Sequence, residues 1–318
     1  MFWKTKEAAP DAPPTENILI DELLRERRRD RRASIVKSAF FLLAALAYVW
    51  WMTIFFGVGN QSPISKDFAA VVKINGMIGP GKEASYEALA PVLKQAFEHP
   101  HSAGVVLRIN SPGGTPVQAS LIHELILDLK QKHNKKVLAV GEDMMTSGAY
   151  LIATAADTLI VNKSTVSGSI GVISAGFGFS ELMEKLGVER RVNTAGKSKN
   201  LLDPFSPVSD EGLAKQKELL EGIHTHFKDI VLAQRGDKLQ LDTPELFEGS
   251  VWLGEKAVEI GLVDELGSLN NAVETHLGVT ETRTLSRRKP IMESLIENAG
   301  VKAMQSILDV SLQPQLLP

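Results

Sequence analysis

An uncharged run from Ala39 to Gly59 constrains this chain more than any other stretch. Phe40, Leu42, Leu43, Leu46, Trp50, Trp51, Ile54, Phe55 and Phe56 crowd it. About 20 apolar residues in a helix span the hydrocarbon core of a bilayer. The run is apolar all round, unlike the one-sided helices that line a soluble core. Just before it, Asp21 to Arg32 reads DELLRERRRDRR and holds six arginines. Positive charge beside a span stays in the cytoplasm, which predicts that everything after residue 60 lies on the outer side. A cleaved signal peptide fits less well. Its n-region would be unusually long, its apolar run too long, and no clean A-x-A site follows. Beside a span the arginines are better explained by topology than by nucleic-acid binding. The expected division is a disordered basic tail over 1–35, a signal anchor over 36–59, an exported domain over 60–280 and a helical extension over 281–318.

The net charge of -3 gives no global basic signal for nucleic acid. Hydrophobic content of 44% and charged content of 23% are ordinary for a folded protein. The absence of cysteine excludes disulfides, Cys-ligated zinc and a cysteine nucleophile.

Past the linker Gln61 to Phe68, apolar strands alternate with amphipathic helices. Strands are expected at Ala69–Ile74, Gly104–Ile109, Val137–Val140, Thr158–Val161 and Val188–Asn193. Helices are expected at Ser85–Phe97, Ala119–Lys130, Ser147–Ala156, Ser180–Leu186 and Ser209–Gln234. Shorter helical turns are expected at Thr243-Pro244 and Ala257–Ile260. A further helix is expected near Met292 to Val310, on a stripe of Met292, Ile296, Ala299, Ala303, Ile307 and Val310. This alternation predicts an α/β domain with a largely parallel sheet. Gly104 to Ile109 is nearly all apolar, as for a strand covered on both faces.

Two glycine-rich turns follow apolar strands: Ser111-Pro112-Gly113-Gly114, and Ser147-Gly148. A serine at a strand-to-helix turn is held forward on a rigid support, where free N–H groups favour developing negative charge. Such a serine also serves as a plain helix cap. Backbone N–H groups at the glycine turn could complete an oxyanion hole, or the turn could be only a turn. No GxxxxGK[ST] or GxGxxG pattern supports a phosphate loop. None of the seven histidines stands in a Gly/Ser-rich loop, so all are read as structural or surface residues. His224 and His226, two apart on a helix, make a poor metal pair. A lysine in apolar surroundings loses its proton more easily and can act as base. Lys197 and Lys199 both stand in a polar loop, and these residues alone do not separate them.

Taken in order, several blocks resemble the short, single-unit members of the S49 serine proteases, the signal peptide peptidase A-like family. They are Arg108 to Gly114, Ser147 to Tyr150 with Ala155-Ala156-Asp157, Gly168 to Val172, Gly196 to Asn200, Trp252-Leu253-Gly254 with Ala257, and Gly261 to Asp264. The resemblance implies a ClpP/crotonase-type fold behind a single transmembrane helix. It places the nucleophile on Ser147 and the general base on Lys199, three residues after Gly196. Ser169 matches a serine that positions the lysine. Gly114 matches an oxyanion donor, and the N–H of Gly148 could be a second. Asn200 departs from the aspartate usual in the family. The resemblance further implies a homo-oligomeric ring in which neighbouring subunits complete each dyad. It implies peptide substrates such as signal-peptide remnants, and no metal or cofactor. ClpP shares the turn and the fold but uses a His-Gln-Pro histidine that this chain lacks. An acyl-CoA hydratase would need neither the anchor nor the Gly-x-x-Lys loop. The expected protein is thus a serine endopeptidase of a bacterial cytoplasmic membrane, its catalytic domain periplasmic or extracellular. A catalytically silent membrane scaffold is the alternative from another class.

Overall fold

The computed structural model describes residues 15–52 and 66–286, with side chains from Arg31 onward apart from 32–34. Two compact units divide at Ser65. The described residues of the first form one helix, α1 (Thr15–Met52). Its window Ile35–Met52 is long and apolar enough to cross a membrane, and none of it is buried within the unit. The arginine stretch, expected to be disordered, is helical here from Thr15. Leu, Arg and Glu are good helix formers, and the apolar run continues the helix without a breaker. The outer end of the expected span, up to Gly59, lies outside the described residues.

In the second unit β1 (Phe68–Asn75), α2 (Tyr86–Glu98), β2 (Ser102–Ser111), α3 (Pro116–His133), β3 (Val137–Thr146) and α4 (Gly148–Ala153) follow in turn. Then come β4 (Thr158–Val161), β5 (Val166–Gly168), α5 (Ser180–Lys185), α6 (Asp210–Arg235) and β6 (Val251–Leu253). The unit closes with α7 (Gly254–Glu259), β7 (Glu265–Leu266), α8 (Leu269–Leu277) and β8 (Thr282–Leu285). Local chemistry sets several starts. Ser85 and Ser209 cap α2 and α6, accepting from Ala88 N and Gly212 N. Pro116 opens α3 at a position where a missing N–H costs nothing.

One sheet joins the strands in the order β6-β5-β3-β2-β1-β8. Every pairing is parallel except β5 with β6. The sheet forks at β3. Its first half, Leu138 to Gly141, pairs with β4, and its second half, Met144 to Thr146, pairs with β5. A bulge between the halves sets Ile109 opposite Gly141 but Ser111 opposite Met145, which bends the strand. This forked, mostly parallel sheet is the ClpP-like architecture. Both faces are covered. Ala69, Val71, Val106, Leu138, Val140 and Ile160 meet Ala272 and Val273 of α8 on one face. The helices α2 and α4 pack on the other, with α3 against both.

Four expectations change. The strand expected at Val137–Val140 runs on, through a bulge, to Thr146. Val188–Asn193 is not a strand, because no described strand lies beside it to form a ladder. Thr243-Pro244 opens turns rather than a helix, and Glu245 at φ 63 is incompatible with a right-handed helix. The folded domain also runs past residue 280, because β8 pairs with β1 from Thr282 to Leu285. The helix expected near Met292 to Val310 lies outside the described residues.

Candidate active site

The carboxyl ends of β2, β3 and β5 place three serines together. Such strand ends are where open parallel sheets build their sites. Ser111 ends β2 and is fully buried; its hydroxyl donates to Gly76 O (2.6 Å) and accepts from Gly113 N (3.1 Å). That clamp shapes the turn behind it. Gly113 has φ 98, and a Cβ there would stand 2.7 Å from the Ser147 Cβ. A Cβ on Gly114 would overlap the Ile78 carbonyl. Only glycine lets this turn lie against both Ile78 and Ser147. Ile78 N bonds Gly113 O at 2.8 Å and Thr115 N bonds Ile78 O at 3.0 Å, so the turn is held from its outer side too.

Ser147 follows β3 with φ 53 and ψ -127. A non-glycine residue rarely adopts this conformation, and it costs about 1–3 kcal/mol. Ser147 makes no side-chain capping bond to α4. The cap role open to it in the sequence is therefore not the one it plays. Its N–H donates to Gly168 O at 2.8 Å, and its carbonyl accepts from Leu151 N at 3.0 Å. These two bonds fix the strained residue between β5 and α4. Gly148, the first residue of α4, lies close to Gly114: a Cβ on Gly148 would be 3.4 Å from Gly114 N. The two glycines expected as oxyanion donors are thus brought together beside Ser147.

Ser169 stands next to Ser147 in register, one residue past the Thr146–Gly168 pair. It too has φ 53. Its N–H donates to Ser250 O at 2.7 Å. Two strained serines therefore sit side by side at neighbouring strand ends.

Over Ser147 opens a cavity of about 520 Å³, within the range of ligand sites. Ala119, Leu151, Leu220, Ile223 and Phe227 give it apolar walls, with Gly114 and Gly148 beside the serine and Gly171 to Ala175 along one side. The pattern suits an apolar side chain next to a polar reaction centre. His226, exposed on α6, also lines it.

Lys199 is not among the residues that line this cavity. Its side chain is exposed, in a turn where its N–H bonds Gly196 O at 3.3 Å. Lys197 is equally exposed. The whole stretch 171–208 is open to solvent and rich in apolar residues: Ile173 is 87% exposed, Phe177 81% and Leu186 68%. Among the described residues no group of histidine, aspartate and glutamate is arranged to hold a metal ion.

Behind the cavity lies His123 on α3, 3% exposed, its Nε2 buried without a hydrogen bond. Burial, helped by the charges of Lys130 and His226, pushes its pKa down to about 4. The folded state therefore prefers His123 neutral. Its contribution to stability is complete above the ordinary value of 6.5 and is lost as pH falls towards 4. Denaturant unfolding should lose up to about 3 kcal/mol over that range. His123→Leu is expected to flatten the slope.

Comparison with known proteins accords with this geometry. The family model for peptidase family S49 matches residues 129–278. A candidate protease of Synechocystis is 30% identical over 247 residues, 76% of this chain and 86% of that one. Protease 4 of Haemophilus influenzae is 34% identical over 209 residues, 64% of this chain and 33% of that one. The Na(+)/H(+) antiporter NhaA of Brucella abortus is 44% identical over 213 residues, 65% of this chain and 29% of that one. The chain thus spans about a third or less of these last two relatives, and the antiporter's name describes a much longer protein. With the Synechocystis protein matched over most of both chains, the chain belongs to peptidase family S49.

Proposed function

We propose that this protein is a membrane-anchored serine endopeptidase working through a Ser147–Lys199 dyad. The observation that carries the reading is the strained Ser147, seated beside two glycine N–H groups at the floor of an apolar cavity. Lys199, neutral, takes the hydroxyl proton as Ser147 Oγ attacks a peptide carbonyl. The Gly114 and Gly148 N–H groups stabilise the oxyanion. Protonation of the leaving amine frees the first product, and water then hydrolyses the acyl-enzyme. Ser169 orients the lysine.

In this reading Lys199 reaches the serine of a neighbouring subunit in a homo-oligomeric ring. The exposed, apolar character of 171–208 supports it, since large exposed apolar patches mark association surfaces. The window Ile35–Met52 anchors the protein in a bacterial cytoplasmic membrane, with the arginines inside and the protease domain outside. Apolar walls suit substrates such as signal-peptide remnants and unfolded or membrane-derived peptides. A second reading has one specific observation behind it. His226 lines the cavity, so it could serve as base within one subunit.

A fluorophosphonate probe and subunit mixing test these readings together. The intact protein should be labelled at Ser147, and Ser147→Ala and Lys199→Ala should each be inactive. Co-assembly of the two variants should restore part of the activity, because some interfaces then pair an intact serine with an intact lysine. An active Lys199→Ala with an inactive His226→Ala would favour the second reading. Absence of both labelling and turnover in a correctly assembled protein would leave only a scaffold.

A further inference from the structure

The segment after β5 is held in place from α6. His224 Nε2 lies 3.2 Å from Ile170 O. A carbonyl only accepts, so Nε2 carries the proton and donates. About two turns earlier on the same helix, Gln216 Nε2 donates to Ser174 Oγ at 3.0 Å. Between them these two side chains fasten the strip that begins at Ser169 and forms one wall of the Ser147 cavity.

The bond from His224 matters because of what it adjoins. Ser169 is held at φ 53, a conformation that persists only when its surroundings over-determine it. Its flanking main chain is fastened by Ser147 N to Gly168 O, Ser169 N to Ser250 O, Gly171 N to Ser169 O and Gly249 N to Ile170 O. His224 supplies the side-chain bond in that set. Ile170 itself is fully buried, so the ring grips a fixed point of the loop rather than a loose one.

We propose that His224 is a positioning residue for peptide hydrolysis. Through the Ile170 carbonyl it holds the Ser169 loop in the strained form that the chemistry uses. It touches neither the nucleophile nor the substrate. The inference rests on the reading above that Ser169 orients the catalytic lysine.

The test uses the full chain in detergent and a fluorogenic peptide with an apolar residue at the cleavage site. His224→Leu removes the donor at similar volume, and His224→Gln replaces it with an amide N–H₂ of similar reach. His224→Leu should lower kcat by about tenfold, as loss of a supporting hydrogen bond does elsewhere, and leave KM within about twofold. His224→Gln should recover most of kcat. Each variant is assayed well below its own melting temperature, so that folding is not what is read. A wild-type kcat in His224→Leu overturns the proposal. So does a His224→Gln no better than His224→Leu, which would make the ring mere packing. Ser169→Ala, run beside them, separates the two layers. If it works at the wild-type rate, the reading of Ser169 fails; if it is impaired while His224→Leu is not, only the role of His224 fails.

Discussion

Replacing Ser147 with glycine is expected to abolish hydrolysis and at the same time make the protein harder to unfold. Loss of a serine nucleophile lowers kcat by about 10⁵-fold or more. The gain in stability comes from the backbone. Ser147 is held at φ 53 and ψ -127, where a Cβ is a burden and glycine is at ease. Relief of that strain, less the extra chain entropy of glycine, should amount to about 1–2 kcal/mol. Ser147→Ala provides the comparison: equally inactive, it keeps its Cβ and gains nothing. The measurement is a pair of denaturant midpoints beside a peptide assay. If the glycine variant unfolds no later than the alanine variant, the strain assigned to Ser147 is not there. A positive result would show stability being given up for a displayed hydroxyl.

The second large effect lies far from the serine in sequence, at Arg235. Its side chain is 2% exposed. Nε and Nη2 donate to Gly261 O, and Nη1 and Nη2 reach the two Asp264 oxygens at 3.1 and 3.2 Å. Asp264 also accepts from Leu159 N at 2.7 Å and from Lys238 Nζ at 2.7 Å. Next to it Tyr150 OH donates to Leu262 O at 2.8 Å. One ion pair thus ties the end of α6 to the start of β4 and, through Tyr150, to the helix that follows Ser147. Burial alone would raise the Asp264 pKa, but the hydrogen bonds from Arg235, Lys238 and Leu159 N outweigh it and hold the carboxyl below its ordinary value. Arg235→Met leaves that carboxylate half-buried without its main partner. The expected loss is about 3–5 kcal/mol, read from chemical denaturation at neutral pH. The sign with pH follows. A depressed carboxylate stabilises above its unfolded pKa of 3.8 and loses that contribution as pH falls below it. The gap between wild type and Arg235→Met should therefore narrow in acid. A loss under 1 kcal/mol, or a gap that widens below pH 4, would count against this account.

Arg235 also bears on what the sequence could tell. The block Gly261 to Asp264 stood out there as a family signature with no stated purpose. Its purpose is structural: two of its main-chain carbonyls and its carboxylate receive Tyr150 and Arg235. Nothing in local pattern pairs Arg235 with Asp264, because the pairing depends on where the long helix α6 ends in space. The main strands were legible because they are apolar runs bounded by turn residues. β5 was not, since Val166–Gly168 is three residues inside a Ser/Gly stretch and exists only because β3 offers it an edge. α8 and β8 likewise take their meaning from the sheet face and the β1 edge that they cover. At the site, Ser147, Gly114 and Gly148 could be picked out because each sits in a turn straight after an apolar strand. The neighbouring positions of Ser147 and Ser169 needed the parallel register of β3 and β5. His224 and His226 went unrecognised because the path of α6 over the site is a tertiary fact. For Lys199, the sequence motif names the residue, while its solvent-facing loop in a single chain leaves the partner to be tested.

The antiparallel pairing of β5 with β6 has a consequence for how this chain can vary. Ser169 N meets Ser250 O at 2.7 Å, so the long excursion from 170 to 249 leaves and re-enters the sheet at one point. Within it α6 is fastened back to the domain through Arg235 and the buried Phe227, so the solvent-facing stretch 171–208 is a loop with pinned ends. The entropy of closing such a loop grows only with the logarithm of its length, about 0.6 kcal/mol for each doubling. Residues can be added to or removed from its solvent-facing part at little thermodynamic cost and without moving Ser147. The stretch that carries Lys199 is therefore free to change its reach while Ser147 stays where the sheet holds it.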